Sequence, residues 1–280
     1  MTTRKLLVFA IASLFSFHAF SQDNKSMRFG MYITPQLDWE RSGNTKLYAH
    51  DGVNGKFGFG LSTEFKITDN VHFLTGIGGT FSGGGENYNV GGDTIGYVTD
   101  KNQNFIKVSD VNSAPGSTYL NSGNTYYRLI HRDYKTSYVT IPVQLKMMTK
   151  PIGPFRYFGE FGGNIEILTK AHANDQVEAF NKATGTFSEN TVTLTDLNIY
   201  SDCIPFKASL NVGAGAEYTL SGSTAVVFSL NYLRSFISAT SGTSEYLYNG
   251  VSNHSSFALN AMSGHSVYGD GVALTIGILF

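Results

Sequence analysis

The chain has 280 residues, a formal net charge of −1, 15% charged residues, 14% aromatic residues and 31 glycines. So few charges, against roughly 25% in an average soluble domain, do not suit a typical soluble enzyme, and the near-neutral balance gives no reason to expect nucleic-acid binding. A single cysteine, Cys203, excludes an intramolecular disulfide and any multi-cysteine zinc site.

The first segment reads as an export signal. Arg4 and Lys5 precede an apolar core, Leu6 to Phe20, that is too short to span a membrane, and Ala19-Phe20-Ser21 places small residues where a signal peptidase reads. Cleavage is expected after Ser21, which makes residues 1–21 a signal peptide and 22–280 the mature domain. That removes two of the 20 basic residues and none of the 21 acidic ones, so the mature charge is 18 − 21 = −3. Beyond residue 21 no apolar run approaches the ~18 residues of a spanning helix.

The mature domain is dominated by period-two alternation, the pattern of strands with one apolar face. Near Arg28–Glu40, Phe29, Met31, Ile33, Leu37 and Trp39 alternate with polar residues and glycine. Near Lys56–Phe65 the apolar set is Phe57, Phe59, Leu61 and Phe65; near Val71–Ser82 it is Val71, Phe73, Ile77 and Phe81. Near Thr136–Met147, Val139, Ile141, Val143, Leu145 and Met147 share a face, followed near Phe155–Leu168 by Phe155, Tyr157, Phe161, Ile165 and Ile167. Near Pro205–Leu220 and Ala225–Phe236 the theme recurs with Phe206, Leu210, Val212 and Tyr218, then Val226, Phe228, Leu230 and Tyr232. The chain ends on Val272, Leu274, Ile276, Ile278 and Phe280.

Short links (66–70, 148–154 and 221–224) alternate with long polar ones (41–55, 83–135, 169–204 and 239–267). Strict alternation is expected if all tight turns lie on one side of a membrane. The expectation is an all-β fold: a closed antiparallel transmembrane β-barrel of about eight strands, with short periplasmic turns and long extracellular loops. Residues 125–132 are expected to carry the neighbouring strands beyond the lipid. Arg28, Glu64, Lys146, Arg156, Glu160, Lys207 and Glu217 fall on the polar face, so they should meet as neutralising networks in a lumen that eight strands leave nearly filled. Aromatics near strand ends, including Phe29, Trp39, Phe65, Phe81, Phe155, Tyr218 and Phe228, suit interfacial girdles.

Ser137-Tyr138-Val139-Thr140-Ile141-Pro142-Val143-Gln144-Leu145-Lys146, then Tyr157-Phe158-Gly159-Glu160-Phe161-Gly162-Gly163, form a recognisable pattern. It is an aromatic, two residues, Ile-Pro, apolar residues and Lys, then an aromatic and Gly-rich strand. With Phe228-Ser229-Leu230-Asn231-Tyr232 and the ending Thr275–Phe280, this resembles the PorT-like family of outer-membrane β-barrel domains. The resemblance implies the barrel fold and a place in the outer membrane of a Gram-negative bacterium, with the barrel-assembly machinery as a partner reading Phe280. Some relatives serve in protein secretion machinery, and many have no assigned activity. The insertion at 83–135 departs from compact members.

Candidate chemistry is sparse. His131 and Asp133 lie two apart before the fourth strand, and His265 and Asp270 precede the last; either pair suits acid–base work or a metal. Such spacing is commonplace in polar loops, and no third partner stands out. His72 falls on the lumen face as an interior hydrogen-bonded residue. Ser82–Asn87 and Gly76-Ile77-Gly78-Gly79 are Gly-rich but precede no helix, so neither supports a phosphate cradle. No catalytic, cofactor-binding or metal-binding residue is named and no cofactor is expected. The expectation is a non-enzymatic envelope component whose partners are outer-membrane lipids and a protein held by the outer loops. Passive solute transport, a secretion role and a rim-located hydrolase or acyltransferase stand as alternatives.

Overall fold

In a computed structural model, residues 26–43, 45, 48–88, 95–113, 123–249, 260–263 and 266–280 are described; the proposed signal segment and His265 lie outside them. The strands in chain order are β1 (Met27–Ser42), β2 (Ala49–Asp51), β3 (Asn54–Lys66), β4 (Val71–Ser82), β5 (Gly85–Asn87), β6 (Ile95–Thr99) and β7 (Phe105–Ile106). A short helix, Val108–Ser113, precedes β8 (Thr125–Met148), β9 (Phe155–Asn181), β10 (Thr186–Asn198), β11 (Phe206–Ser221) and β12 (Thr224–Ser235). The last are β13 (Thr243–Asn249), β14 (Asn260–Ser263) and β15 (Val267–Leu279).

Eight of these close into a wall. The antiparallel order is β1-β3-β4-β8-β9-β11-β12-β15, and β15 pairs back onto β1. Cross-strand partners lead from Asp270 through Arg234, Leu210, Gly163, Val143, Thr75, Thr63 and Phe29, whose carbonyl accepts from the Phe280 amide. One circuit therefore ends ten residues from its start, 280 − 270 = 10. A stagger of ten over eight strands, at the usual rise and spacing, tilts the strands by about 40°. The tight turns between wall strands are built for reversal: Gly153 and Gly222 hold φ of 63° and 57°, where a side chain would be strained.

Polarity runs opposite to that of a soluble sheet. Met31, Phe59, Leu145, Phe161, Leu230 and Leu274 face outward and are exposed. Gln36, Glu64, Gln144, Lys146, Asn164 and Asn231 face inward and are buried. No helix among the described residues is long and apolar enough to cross a membrane. A closed wall with no free edge, apolar outside and charged within, answers the demand of hydrocarbon that every backbone group be satisfied internally.

The segments expected as outer loops hold strands of their own. β8 runs for 24 residues and β9 for 27, roughly twice what a bilayer needs. They rise well beyond the apolar band, β10 folds back along β9, and β6 and β5 join β8. Tyr48, Ile95, Tyr97, Leu129, Val177 and Leu247 bury themselves among these elements. The result is a cap with an apolar core, which explains how a polar-looking insertion holds a structure.

Candidate functional site

The inner end of the lumen is closed by a buried ion network. Lys146 Nζ stands 2.6 Å from Glu64 Oε1 and 2.6 Å from Glu217 Oε1. Arg28 donates to Glu217 at 2.9 Å and also to Glu64, while His72 Nδ1 lies 3.4 Å from Glu64. Beneath them Met148, Phe158, Val227 and Leu279 form an apolar layer, with the Lys146 ammonium 4.1 Å from the Phe158 ring. Strands β1, β3, β4, β8 and β11 each present an inward-facing member of the network at one level. A buried cation is tolerated only when paired and hydrogen-bonded, which is what two carboxylates supply here.

Four of the expected lumen charges thus meet, together with His72. Lys207 instead pairs with Glu166 at 3.4 Å and lies 4.4 Å from the Tyr138 ring, nearer the outer end. Glu160 accepts from Asn231 Nδ2 at 3.0 Å. Arg156, half-buried near the inner turn, joins no ion pair among the described residues. Above the network is a cavity of about 130 Å³ whose mixed lining includes Gln36, Thr80, Gln144, Asn164, Asn211 and Asn231. That is room for a few waters held by amides and hydroxyls.

At the outer rim the structure brings together one of the two sequence-named pairs. His131 Nε2 lies 3.2 Å from Asp133 Oδ1 and 3.7 Å from Asp51 Oδ2, and its Nδ1 is 3.0 Å from Asn87 Oδ1. Strands β2, β5 and β8 supply these groups by direct pairing, Asp51 opposite Gly85 and Asn87 opposite His131. A Cβ on Gly85 would come within 2.9 Å of the His131 ring and 3.0 Å of the Asp51 side chain, so the missing side chain makes the convergence possible. Asp51 and Asn87 escaped the sequence reading because they lie 80 and 44 residues from His131 (131 − 51 and 131 − 87) and only strand pairing unites them. The Gly-rich run containing Gly85 is therefore strand and spacer rather than a phosphate loop. Among the described residues no three His, Cys, Asp or Glu side chains are placed to hold a metal ion.

Asp270, the other named acid, is engaged by Arg41 Nε at 3.2 Å. Deeper in the cap, Arg132 makes a two-pronged bond to Asp175, at 2.8 and 2.7 Å, with both side chains buried. Burial alone would lower the Arg132 value; the Asp175 carboxylate more than reverses it, so the guanidinium stays charged. Cys203 is buried beside this pair of elements, and burial, followed by the Asp202 carboxylate, pushes its thiol up to about 12. A thiol so placed is not a nucleophile.

No protein-family model matches the chain, and no curated protein is similar to it in sequence. Among solved structures, outer membrane protein OprG from Pseudomonas aeruginosa is 12% identical, with a TM-score of 0.40 over 90% of this chain and 95% of that one. Neisserial surface protein A is 8% identical, TM-score 0.31, covering 88% and 95%. Ail of Yersinia pestis is 11% identical, TM-score 0.30, covering 90% and 98%. The eight-stranded barrel itself rests on the closed hydrogen-bonded ring of this chain's own strands.

Proposed function

We propose that this chain is an integral outer-membrane barrel that acts without catalysis, holding a folded cap outside the cell for contact with a partner. One observation carries the reading: the barrel's inner end is filled by the Lys146–Glu64–Glu217–Arg28 network, while β8 and β9 build a structured cap beyond the apolar band. A wall that spends so much chain outside the lipid, over a plugged lumen, suits display better than transport. The PorT-like resemblance of Ser137–Lys146 supports an envelope role and leaves secretion machinery as one setting for it. The test is fractionation followed by electrophoresis with and without boiling. The protein should stay with outer membranes and change mobility on heating, and planar-bilayer recordings should give no steady conductance. Recovery from the soluble periplasm, or a stable open pore, rejects the reading.

A second reading, hydrolysis at the outer rim, is favoured by the His131 cluster, where a histidine held by Asn87 faces two carboxylates. A general base needs such orientation. If it operates, His131→Ala abolishes cleavage or transfer activity of intact cells on ester or amide probes; an unchanged rate removes it.

A further inference from the structure

Outward-facing cations gather where the apolar band ends. On β8 and β9 the last lipid-facing pair is Val139 with Ile167. Continuing outward on the same face, Ser137 pairs with Lys170 and Lys135 with His172. Both lysines are exposed. As diagonal neighbours across an antiparallel pair, they sit about 7–8 Å apart at the backbone, close enough to repel. Neither forms an ion pair among the described residues; the Asp196 carboxylate, held by His172 Nδ1 at 2.5 Å, is a charge that both lysines feel at longer range.

Two residues outward along a tilted strand is roughly 5 Å above the band, and four residues roughly 10 Å. That is the depth of lipid headgroups. On the inner rim Lys66 is neutralised by Asp69 at 2.7 Å, while Arg156 joins no ion pair among the described residues. Elsewhere on the outer rim, Arg41 is engaged by Asp270 and lies 4.8 Å from the Tyr268 ring. Arg234, exposed at the outer end of β12, also joins no ion pair among the described residues, but Lys135 and Lys170 are the two that stand side by side.

We propose that Lys135 and Lys170 clasp a phosphate of an anionic glycolipid in the outer leaflet, of the lipid A type. The inference rests on the outer-membrane reading above and names a partner for that surface. Lysine serves as a compact point charge for phosphate, and two adjacent exposed lysines that share a single nearby carboxylate, itself held by His172, are relieved by one. No chemical step is involved, only binding.

The test uses the full mature chain, folded in zwitterionic micelles, with lipid A titrated in while the midpoint of the heat-induced mobility change is monitored. Lipid A should raise the midpoint, and lipid A stripped of phosphate should not. Lys135→Gln and Lys170→Gln should each raise the half-saturating concentration about five-fold, and together about twenty-five-fold. Arg156→Gln, at the opposite rim, should leave it unchanged. An equal response in the double variant, an equal response to dephosphorylated lipid, or full competition by millimolar inorganic phosphate overturns the clasp while leaving the barrel reading intact. Failure of the chain to insert into micelles at all defeats both.

Discussion

Strand β8 crosses two environments and reverses its logic between them. In the membrane half Lys146 is 0% exposed while Leu145 is 43% exposed; in the cap Leu129 is 0% exposed. The same backbone ladder thus holds ions inside and aliphatics outside at one end, and aliphatics inside at the other. The switch is made by register shifts. Between Ser137 and Tyr138 the pairing with β9 jumps from Lys170 to Leu168, so the inward set on β9 changes from Asn164, Glu166 and Leu168 to Ala171, Ala173, Asp175 and Val177. A second shift between Leu129 and His131 turns β8 in the same way. A bulge adds one residue to one strand and thereby flips the face of everything beyond it. The lesson is that a polar lumen and an apolar core can share strands, provided a bulge stands at the border.

The contrast breaks most sharply at the ion network. Lys146→Ala leaves Glu64 and Glu217 buried with Arg28 and, at Glu64, His72, and should cost about 3–5 kcal/mol of folding free energy, read from urea unfolding in micelles. A loss under 1 kcal/mol would mean the lumen is wetter than its geometry implies. In the cap, Leu129→Ala should cost about 2–5 kcal/mol, but locally. Protease should then cut β8–β10 while the heat-modifiable mobility of the barrel persists. Simultaneous loss of both would make cap and barrel one cooperative unit.

The outer faces offer a smaller contrast. Phe161→Arg, lipid-facing below the rim, should cost about 2–4 kcal/mol. Val192→Arg, also exposed but on β10 of the cap, should change stability by less than about 0.5 kcal/mol. Equal effects would place the membrane boundary wrongly. Least perturbing is the thiol: because Cys203 is raised to about 12, a polar maleimide at pH 8 should label it slowly when folded and quickly in urea. Since the folded value lies above the unfolded one, the protonated thiol favours folding across neutral pH, and that preference fades only as pH rises toward 12.

Much of the barrel was legible because its signal is local. Phe29-Gly30-Met31 or Ile141-Pro142-Val143 states which neighbour faces lipid without reference to any other strand, and the short turns around Gly153 and Gly222 state where the chain reverses. The cap was less legible. Its strands β2, β5 and β6 are three to five residues long, too short for alternation to stand out, and β6 is buried throughout. Of the candidate chemistry, His131 and Asp133 could be named from their spacing, whereas Asp51, Gly85 and Asn87 could not.

Composition and period two therefore decided, by themselves, that this chain forms strands with one greasy face, how many cross, and which charges must hide in the lumen; side-chain alternation is a property of a single strand. Which charges neutralise which, where the bulges flip the faces, and that the outer parts of β8 and β9 with β10 build a cap rather than slack loops were decided only in three dimensions. Those outcomes depend on register between strands far apart in sequence, and a shift of one residue reverses them.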